Sequence, residues 1–299
     1  MFRNKNGQVR SGWILIFAGL VYLIGQSIFM FPGLVVWTVV ENDDILSNSA
    51  NEALVQMDKF PWISLLANGG SVLGGIIITL ILWKMIYKEP LRVLGFQRMG
   101  KDFVYGLFLG AASITLIFLI LLASGQITLA NSLSHPNFTV YTVTYLLLYI
   151  LVGFSEEMFF RGFVMSTLIS RGNRKWVVFL VSALIFSLAH GSNPNVSWLG
   201  LVNIFLVGLL FAYMYDTTKS LWLPIGFHMT WNYFQGNIFG FPVSGTVPHG
   251  IYTVSVEDGT TLLTGGTFGL EGGLMATILI IIGFFATKVY TDKKYQSLF

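Results

Sequence analysis

Eight long apolar runs constrain what this chain of 299 residues can fold into. A helix that crosses the hydrocarbon core of a bilayer needs about 20 mostly apolar residues. Only 10% of the residues are charged, whereas a soluble domain carries roughly 25%, so the chain has too little polar surface for a water-soluble enzyme. The runs lie at about 12–38, 62–87, 103–125, 140–170, 175–191, 197–215, 220–241 and 273–290.

The basic residues between these runs predict the orientation, since Lys and Arg concentrate on the cytoplasmic side of a membrane. With the N-terminus inside, sixteen of the 17 basic residues fall in inner segments, and only Lys59 lies outside. The sixteen lie within 3–10, 84–101, 161–175, 219 and 288–294. We therefore expect an all-α polytopic membrane protein with about eight transmembrane helices and both termini cytoplasmic.

The remaining composition narrows the domain organisation and the chemistry. No repeat, low-complexity stretch or long polar linker divides the chain, so residues 1–299 are expected to form a single integral membrane domain. The first run is too long for a signal peptide and lacks a small-residue cleavage site, which predicts a retained span. The absence of cysteine excludes disulfides and cysteine-ligated zinc. A net charge of +3 indicates no nucleic-acid partner.

Charged and reactive side chains inside the runs are concentrated in one third of the chain. A charged group in hydrocarbon costs at least ~2.5–3.5 kcal/mol, so each needs a partner or a function. If the fourth helix continues past Arg161, helical rise places Glu156 and His190 about 22 Å from the inner surface. His228 and Asn232 then lie roughly 12 and 18 Å deep. We expect these four groups to meet in a cavity that opens toward the cytoplasm or the inner leaflet.

The local spacing assigns different roles to neighbouring residues. Glu157 and Arg161 are four residues apart and share a helix face, which predicts a structural ion pair. Glu156 points about 100° away from that face and is expected to be the reactive carboxyl group. His228 and Asn232, also four apart, can both donate hydrogen bonds to a developing oxyanion. Taken alone, each histidine is more simply interpreted as a hydrogen-bonded packing residue.

Three motifs together resemble a known family. They are Glu156-Glu157-Met158-Phe159-Phe160-Arg161, then Phe186-Ser187-Leu188-Ala189-His190, then His228-Met229-Thr230-Trp231-Asn232. In this order, each on its own predicted span, they resemble the EExxxR, FxxxH and HxxxN motifs of the CPBP family of intramembrane proteases, which includes CAAX prenyl protease 2 and lysostaphin resistance protein A types. The resemblance covers residues 140–235, the expected catalytic core of the membrane domain.

The resemblance implies peptide-bond hydrolysis inside the membrane. Glu156 and His190 would activate a water molecule, while His228 and Asn232 would stabilise the oxyanion. Glu156, His190 and His228 could instead hold a zinc ion with an open water position; we favour no cofactor, and zinc stays the alternative. The expected partners are a peptide or lipid-modified protein substrate and membrane lipids, in a bacterial inner membrane.

A second class of function fits the same residues. A non-proteolytic scaffold, a bacteriocin-immunity factor or a transporter would use the buried polar cluster for binding. Outside the cluster, residues 242–272 are expected to form a short hairpin over the outer mouth or a disordered loop. His135 and His249 are expected to have no chemical role. Gly106 with Gly110 forms a small-xxx-small pair that predicts close helix packing.

Overall fold

The structure is a computed structural model that describes residues 2–3, 7–41, 57–97, 99–247, 249–257, 259 and 261–296. Helices dominate it, and two strands of three residues each accompany them. The helices are α1 (Ser11–Glu41), α2 (Pro61–Ile86), α3 (Leu91–Leu94), α4 (Gly100–Ala123), α5 (Val140–Ser170), α6 (Lys175–Ala189), α7 (Trp198–Thr218), α8 (Trp222–Tyr233), α9 (Thr261–Thr264) and α10 (Leu274–Gln296). The strands are β1 (Ile127–Leu129) and β2 (Val254–Val256).

Each of the eight apolar runs contains a helix, and six helices in the described part of the chain are long and apolar enough to cross a membrane. These six are α1, α2, α4, α5, α7 and α10. Helix α6 has only 15 residues, and α8 has 12 before a π-helical turn at Phe234–Ile238. The all-α polytopic fold is therefore confirmed, whereas the full count of eight spans and the placement of the termini stay predictions.

The connections that carry the basic residues contact one another at one end of the helix bundle. Arg171, after α5, donates from Nε to the carbonyl oxygen of Val9, before α1, at 2.9 Å. Lys175, at the start of α6, lies 2.5 Å from the carboxylate of Asp216 near the end of α7. We call this end, formed by residues 7–11, 84–97, 99–102, 170–175, 216–222 and 286–293, the basic end.

The opposite end of the bundle is formed by residues 57–60, 124–139, 190–197 and 239–273, where the structure describes them, and we call it the distal end. Strand β2 lies here and pairs antiparallel with β1, with Ile127 opposite Val256. The predicted local hairpin within 242–272 is therefore wrong. The alternating residues do form a strand, but its partner comes from the connection between α4 and α5, which ties the two distal connections together.

Glycines allow α8, which carries two of the motif residues, to approach α4 very closely. A Cβ atom on Gly106 would contact the carbonyl oxygen of Leu223, and one on Gly110 would contact that of Phe227. Thr230 adds a hydrogen bond from its hydroxyl to the carbonyl oxygen of Leu107, at 2.9 Å. The expected small-xxx-small packing is therefore present, and it fixes the position of His228 relative to the rest of the bundle.

Candidate active site

Helix α5 presents two adjacent glutamates to different surroundings. It continues past Arg161 to Ser170, as the depth estimate requires, but residues Met158–Val164 form a π-helical segment. Such segments are rare and occur often at functional sites. The side chain of Glu157 is fully buried, whereas that of Glu156 keeps 23% of its surface exposed. The two carboxylates therefore occupy the two environments that the sequence predicts.

Glu157 and Arg161 form a buried ion pair. Arg161 Nη1 lies 3.0 Å from Glu157 Oε1, and both side chains are fully buried. Arg161 also donates from Nη2 to the carbonyl oxygen of Gly208 at 3.3 Å. Its guanidinium carbon lies 4.2 Å from the ring centre of Phe186 and 5.0 Å from that of Phe211. These contacts compensate the cost of removing the arginine charge from water.

Glu157 has a second partner that the sequence does not predict. Its Oε1 atom also lies 3.0 Å from Nδ1 of His228. A carboxylate only accepts hydrogen bonds, so Nδ1 of His228 carries the proton. The pair of Glu157 and Arg161 therefore joins α5 to α8 and fixes the orientation of the His228 ring, in addition to its structural role.

The structure brings Glu156, His190 and His228 together. Glu156 Oε2 lies 4.0 Å from Nε2 of His190 and 3.9 Å from Nε2 of His228. This oxygen is buried and has no hydrogen-bond partner within the described residues. The separations exceed a direct hydrogen bond and match the spacing of groups that are bridged by one water molecule.

The hydrogen bonds of His190 determine which of its nitrogens faces Glu156. Its Nδ1 atom lies 2.8 Å from the carbonyl oxygen of Phe186, one helical turn earlier in α6. A carbonyl oxygen only accepts, so Nδ1 is the donor and, in the neutral ring, Nε2 keeps its lone pair. That lone pair points toward Glu156 and can accept a proton.

A cavity of ≈ 660 Å³ contains this cluster, and Asn232 also forms part of its wall. Its wall also includes residues of the distal end, such as Asp58, Ser192 and Thr246. This contradicts the expected opening toward the basic end, the end that the sequence predicts to be cytoplasmic. The reason lies in the packing. On the basic side of the cluster, large apolar side chains fill the space between the helices, whereas short helix α6 ends at Ala189 and leaves the distal side open.

Asp58 and Glu271 lie on the distal side of the cavity wall, and no sequence motif marks either of them. Asp58 accepts a 2.5 Å hydrogen bond from Nε2 of His249, whose ring stacks on Tyr141 at 3.8 Å between ring centres. Burial alone would raise the pKa of Asp58, but hydrogen bonds from His249 and Tyr145 hold it below its ordinary value. His249 therefore contacts a residue of the cavity wall, and the ring of His135 lies within hydrogen-bond distance of the Ser134 hydroxyl. That neither histidine has a chemical role stays a prediction.

Glu271 is the third carboxylate on the cavity wall. It accepts hydrogen bonds from Gln235 at 2.5 Å and from Ser244 at 3.3 Å. Burial raises its pKa above the ordinary range. No spacing rule links Asp58, His249 and Glu271, because they are far apart along the chain and only the fold of the distal end brings them to one cavity.

Glu156, His190 and His228 are the candidate ligands of the zinc alternative. Zinc bonds of about 2.0–2.1 Å would place tetrahedral ligand atoms about 3.4 Å apart. Both imidazole Nε2 atoms lie farther than that from Glu156 Oε2, at 4.0 and 3.9 Å. Within the described residues, no three His, Cys, Asp or Glu side chains are arranged to hold a metal ion. The side chains in this conformation therefore do not fit a zinc site.

A family model and two known proteins match parts of this chain. The model of the family described as Type II CAAX prenyl endopeptidase Rce1-like matches residues 138–234. An uncharacterized 24.3 kDa protein of Escherichia coli is 26% identical over 166 residues, which are 52% of this chain and 74% of that protein. The UPF0177 protein YvdC of Lactococcus lactis subsp. lactis (strain IL1403) is 31% identical over 84 residues, 27% of this chain and 30% of that protein.

No solved structure matches the chain. The part matched by the family model includes all three motifs, from Glu156 to Asn232, together with helices α6 and α7 between them. The family's description is that of an endopeptidase. Residues 138–234 therefore carry the Rce1-like segment, and the family resemblance that the three motifs predict is confirmed.

Proposed function

We propose that the chain is an intramembrane endopeptidase that uses a water molecule activated by Glu156 and His190. The observation that carries this proposal is the buried Oε2 atom of Glu156, which has no partner among the described residues and faces two imidazole Nε2 atoms at 3.9 and 4.0 Å. A carboxylate held in this way costs free energy that simple packing does not repay. Its position on the wall of a cavity gives it access to a substrate.

The reaction begins with transfer of a proton from water to Glu156. His190 accepts a hydrogen bond from the same water through Nε2, since its Nδ1 is held by the carbonyl oxygen of Phe186. The resulting hydroxide attacks the carbonyl carbon of the peptide. When the tetrahedral intermediate collapses, the C–N bond breaks and the amine takes the proton from Glu156.

His228 and Asn232 lie on the cavity wall one turn apart on α8, where both can donate hydrogen bonds to the oxyanion. Donation from Nε2 of His228 requires a doubly protonated ring, because Nδ1 already donates to Glu157. The carboxylate of Glu157, 3.0 Å from Nδ1, holds the ring so that Nε2 faces the cavity. Glu157 and Arg161 are therefore positioning residues in this mechanism.

The substrate is proposed to be a peptide or a lipid-modified protein, and the protein to lie in a bacterial inner membrane with residues 140–235 as the catalytic core of a single membrane domain. Two observations support the membrane setting. Large apolar side chains of α1, such as Ile16, Leu20 and Leu23, are more than half exposed and are suited to contact with lipid. Bacterial relatives match the chain.

The direct test uses purified protein in lipid nanodiscs, incubated with a defined pool of peptides whose cleavage is followed by mass spectrometry. Wild-type protein should produce defined cleavage products, and Glu156→Gln should produce none. Glu89→Gln is the matched control, since Glu89 is an exposed glutamate at the basic end. Circular dichroism establishes that all three proteins are folded. Cleavage at the wild-type level by a folded Glu156→Gln protein would refute the proposal.

A further inference from the structure

Among the described residues, the wall of the cavity around Glu156 extends to the distal end of the bundle and not to the basic end. Starting from Glu156, its wall extends along the N-terminal half of α5 through Val152 and Tyr145. It also includes Ser192, in the connection after α6, and Thr246, near the distal end of the chain's fold. Both of these residues are exposed. A substrate can therefore reach Glu156 from the distal end.

The basic side of the cluster is filled by side chains without accessible surface. Phe163 on α5, Met214 on α7 and Leu223 on α8 are each 0% exposed. Phe163 lies about 10 Å beyond Glu156 toward the basic end, by seven residues of helical rise. This apolar layer separates the reactive groups from the basic end of the bundle.

The charges of the two ends assign them to opposite sides of a membrane. Arg161 is buried in its ion pair with Glu157 and carries no information on orientation. All the other basic residues except Lys59 lie in segments that the sequence places at the basic end. Since cytoplasmic connections are enriched in Lys and Arg, the basic end faces the cytoplasm and the distal end faces the opposite compartment.

From these observations we infer that the active-site cavity is loaded from the extracytoplasmic side, and that the substrate class is a polypeptide segment exposed outside the cytoplasm. The inference rests on the proposed peptidase function for its substrate class, but not for the side of access. It excludes a lipid-modified protein tail that is exposed only in the cytoplasm, because such a tail would meet the buried layer of Phe163, Met214 and Leu223.

The wall chemistry agrees with a peptide that arrives from outside. Described residues of the cavity wall include the carboxylates of Asp58, Glu156 and Glu271, but no lysine or arginine. The aromatic rings of Tyr145 and Trp231 supply apolar surface with polar edges. The wall thus combines apolar surface with acidic and amide groups that can bind the backbone and side chains of a peptide.

The test exploits the absence of cysteine from the chain, because a single introduced cysteine is then the only thiol. Ser192→Cys places it on the cavity wall, and Ser170→Cys places the same change at the exposed end of α5 on the basic side. A membrane-impermeant maleimide is applied to intact spheroplasts of the expressing bacterium and to inverted membrane vesicles. We expect the cysteine of Ser192→Cys to react at least 10-fold faster in spheroplasts than in inverted vesicles. The cysteine of Ser170→Cys should react at least 10-fold faster in inverted vesicles than in spheroplasts.

Labelling of Ser192→Cys only in inverted vesicles would overturn the inference, and so would labelling of Ser170→Cys in intact spheroplasts. Neither result depends on cleavage, so the same pattern is expected in a Glu156→Gln background. If that pattern holds while no peptide is cleaved, the proposed function fails and the side of access stands. A peptide that wild-type protein cleaves in nanodiscs should be cut when added to right-side-out vesicles, and cleavage in inverted vesicles alone would also overturn the inference.

Discussion

Glu157 is the residue whose replacement best separates stability from catalysis. Glu157→Gln keeps the size of the side chain but removes the charge that compensates Arg161, which lies 3.0 Å away with both side chains fully buried. Removing one partner of a buried ion pair costs about 3–5 kcal/mol, because the other charge stays buried. The contacts of Arg161 with Phe186 and Phe211 are present in wild type and in Glu157→Gln, so they do not contribute to the difference in the free energy of unfolding.

That loss is measurable as a shift of the thermal unfolding midpoint in detergent. One kcal/mol corresponds to roughly 2–4 °C for a domain of this order of size, so the midpoint should fall by roughly 6–20 °C. The peptide cleavage rate, measured well below both midpoints, should fall about 10²–10⁴-fold, since the His228 ring loses the carboxylate that orients it.

A second substitution distinguishes the two effects. Glu157→Gln combined with Arg161→Met removes the uncompensated charge and should regain most of the stability. About 1–3 kcal/mol should stay lost, because the carbonyl oxygen of Gly208 no longer receives a hydrogen bond from Arg161. Cleavage should stay as low as in the single variant. Recovery of cleavage together with stability would refute the positioning role of Glu157, and an unchanged midpoint in Glu157→Gln would refute the ion-pair argument.

Three further predictions follow from other parts of the structure. Gly110→Val should destabilise the protein by about 1–3 kcal/mol or more, because its side chain would meet the backbone of Phe227, whereas Gly19→Ala, with no neighbour within 4 Å, should not. Asp58→Asn should lower the unfolding midpoint at neutral pH, and this deficit should shrink as the pH falls below 3.8, the ordinary pKa, because the lowered pKa of Asp58 stabilises the folded state only while it is ionised. Chelators such as EDTA and 1,10-phenanthroline should leave the cleavage rate within twofold.

Each of these predictions has a clear contradicting result. An unchanged midpoint for Gly110→Val would show that α4 and α8 do not need their close approach. A deficit of Asp58→Asn that persists or grows toward acid pH would show that the contact with His249 does not depend on the charge of Asp58. Loss of activity with a chelator, restored by stoichiometric zinc, would refute the metal-free mechanism.

Local patterns along the chain were sufficient for the helices and for one contact of the site. Apolar runs and helical spacing predict the bundle, and the spacing of four between Glu157 and Arg161 predicts their ion pair, because both depend on neighbours within one helix. The approach of α4 to α8 also follows from local sequence, through Gly106 and Gly110.

Other features depend on how distant segments pack, and local patterns do not encode them. The contact of Glu157 with His228 joins residues 71 positions apart, and that of Asp58 with His249 joins residues 191 positions apart. The pairing of β2 with β1 and the opening of the cavity toward the distal end have the same origin. The depth of each residue along its helix predicts which reactive groups lie at the same level. It does not predict on which side of them the space between the helices is filled by packed side chains.

The central claim is that Glu156 activates the water that cleaves the peptide bond. The most direct measurement is the single-turnover cleavage rate of an identified peptide by Glu156→Gln, compared with wild type and with the exposed control Glu89→Gln. The account predicts a loss of at least 10³-fold for Glu156→Gln, a rate within twofold of wild type for Glu89→Gln, and unchanged unfolding of the control. A folded Glu156→Gln protein that cleaves the peptide at the wild-type rate would contradict the claim.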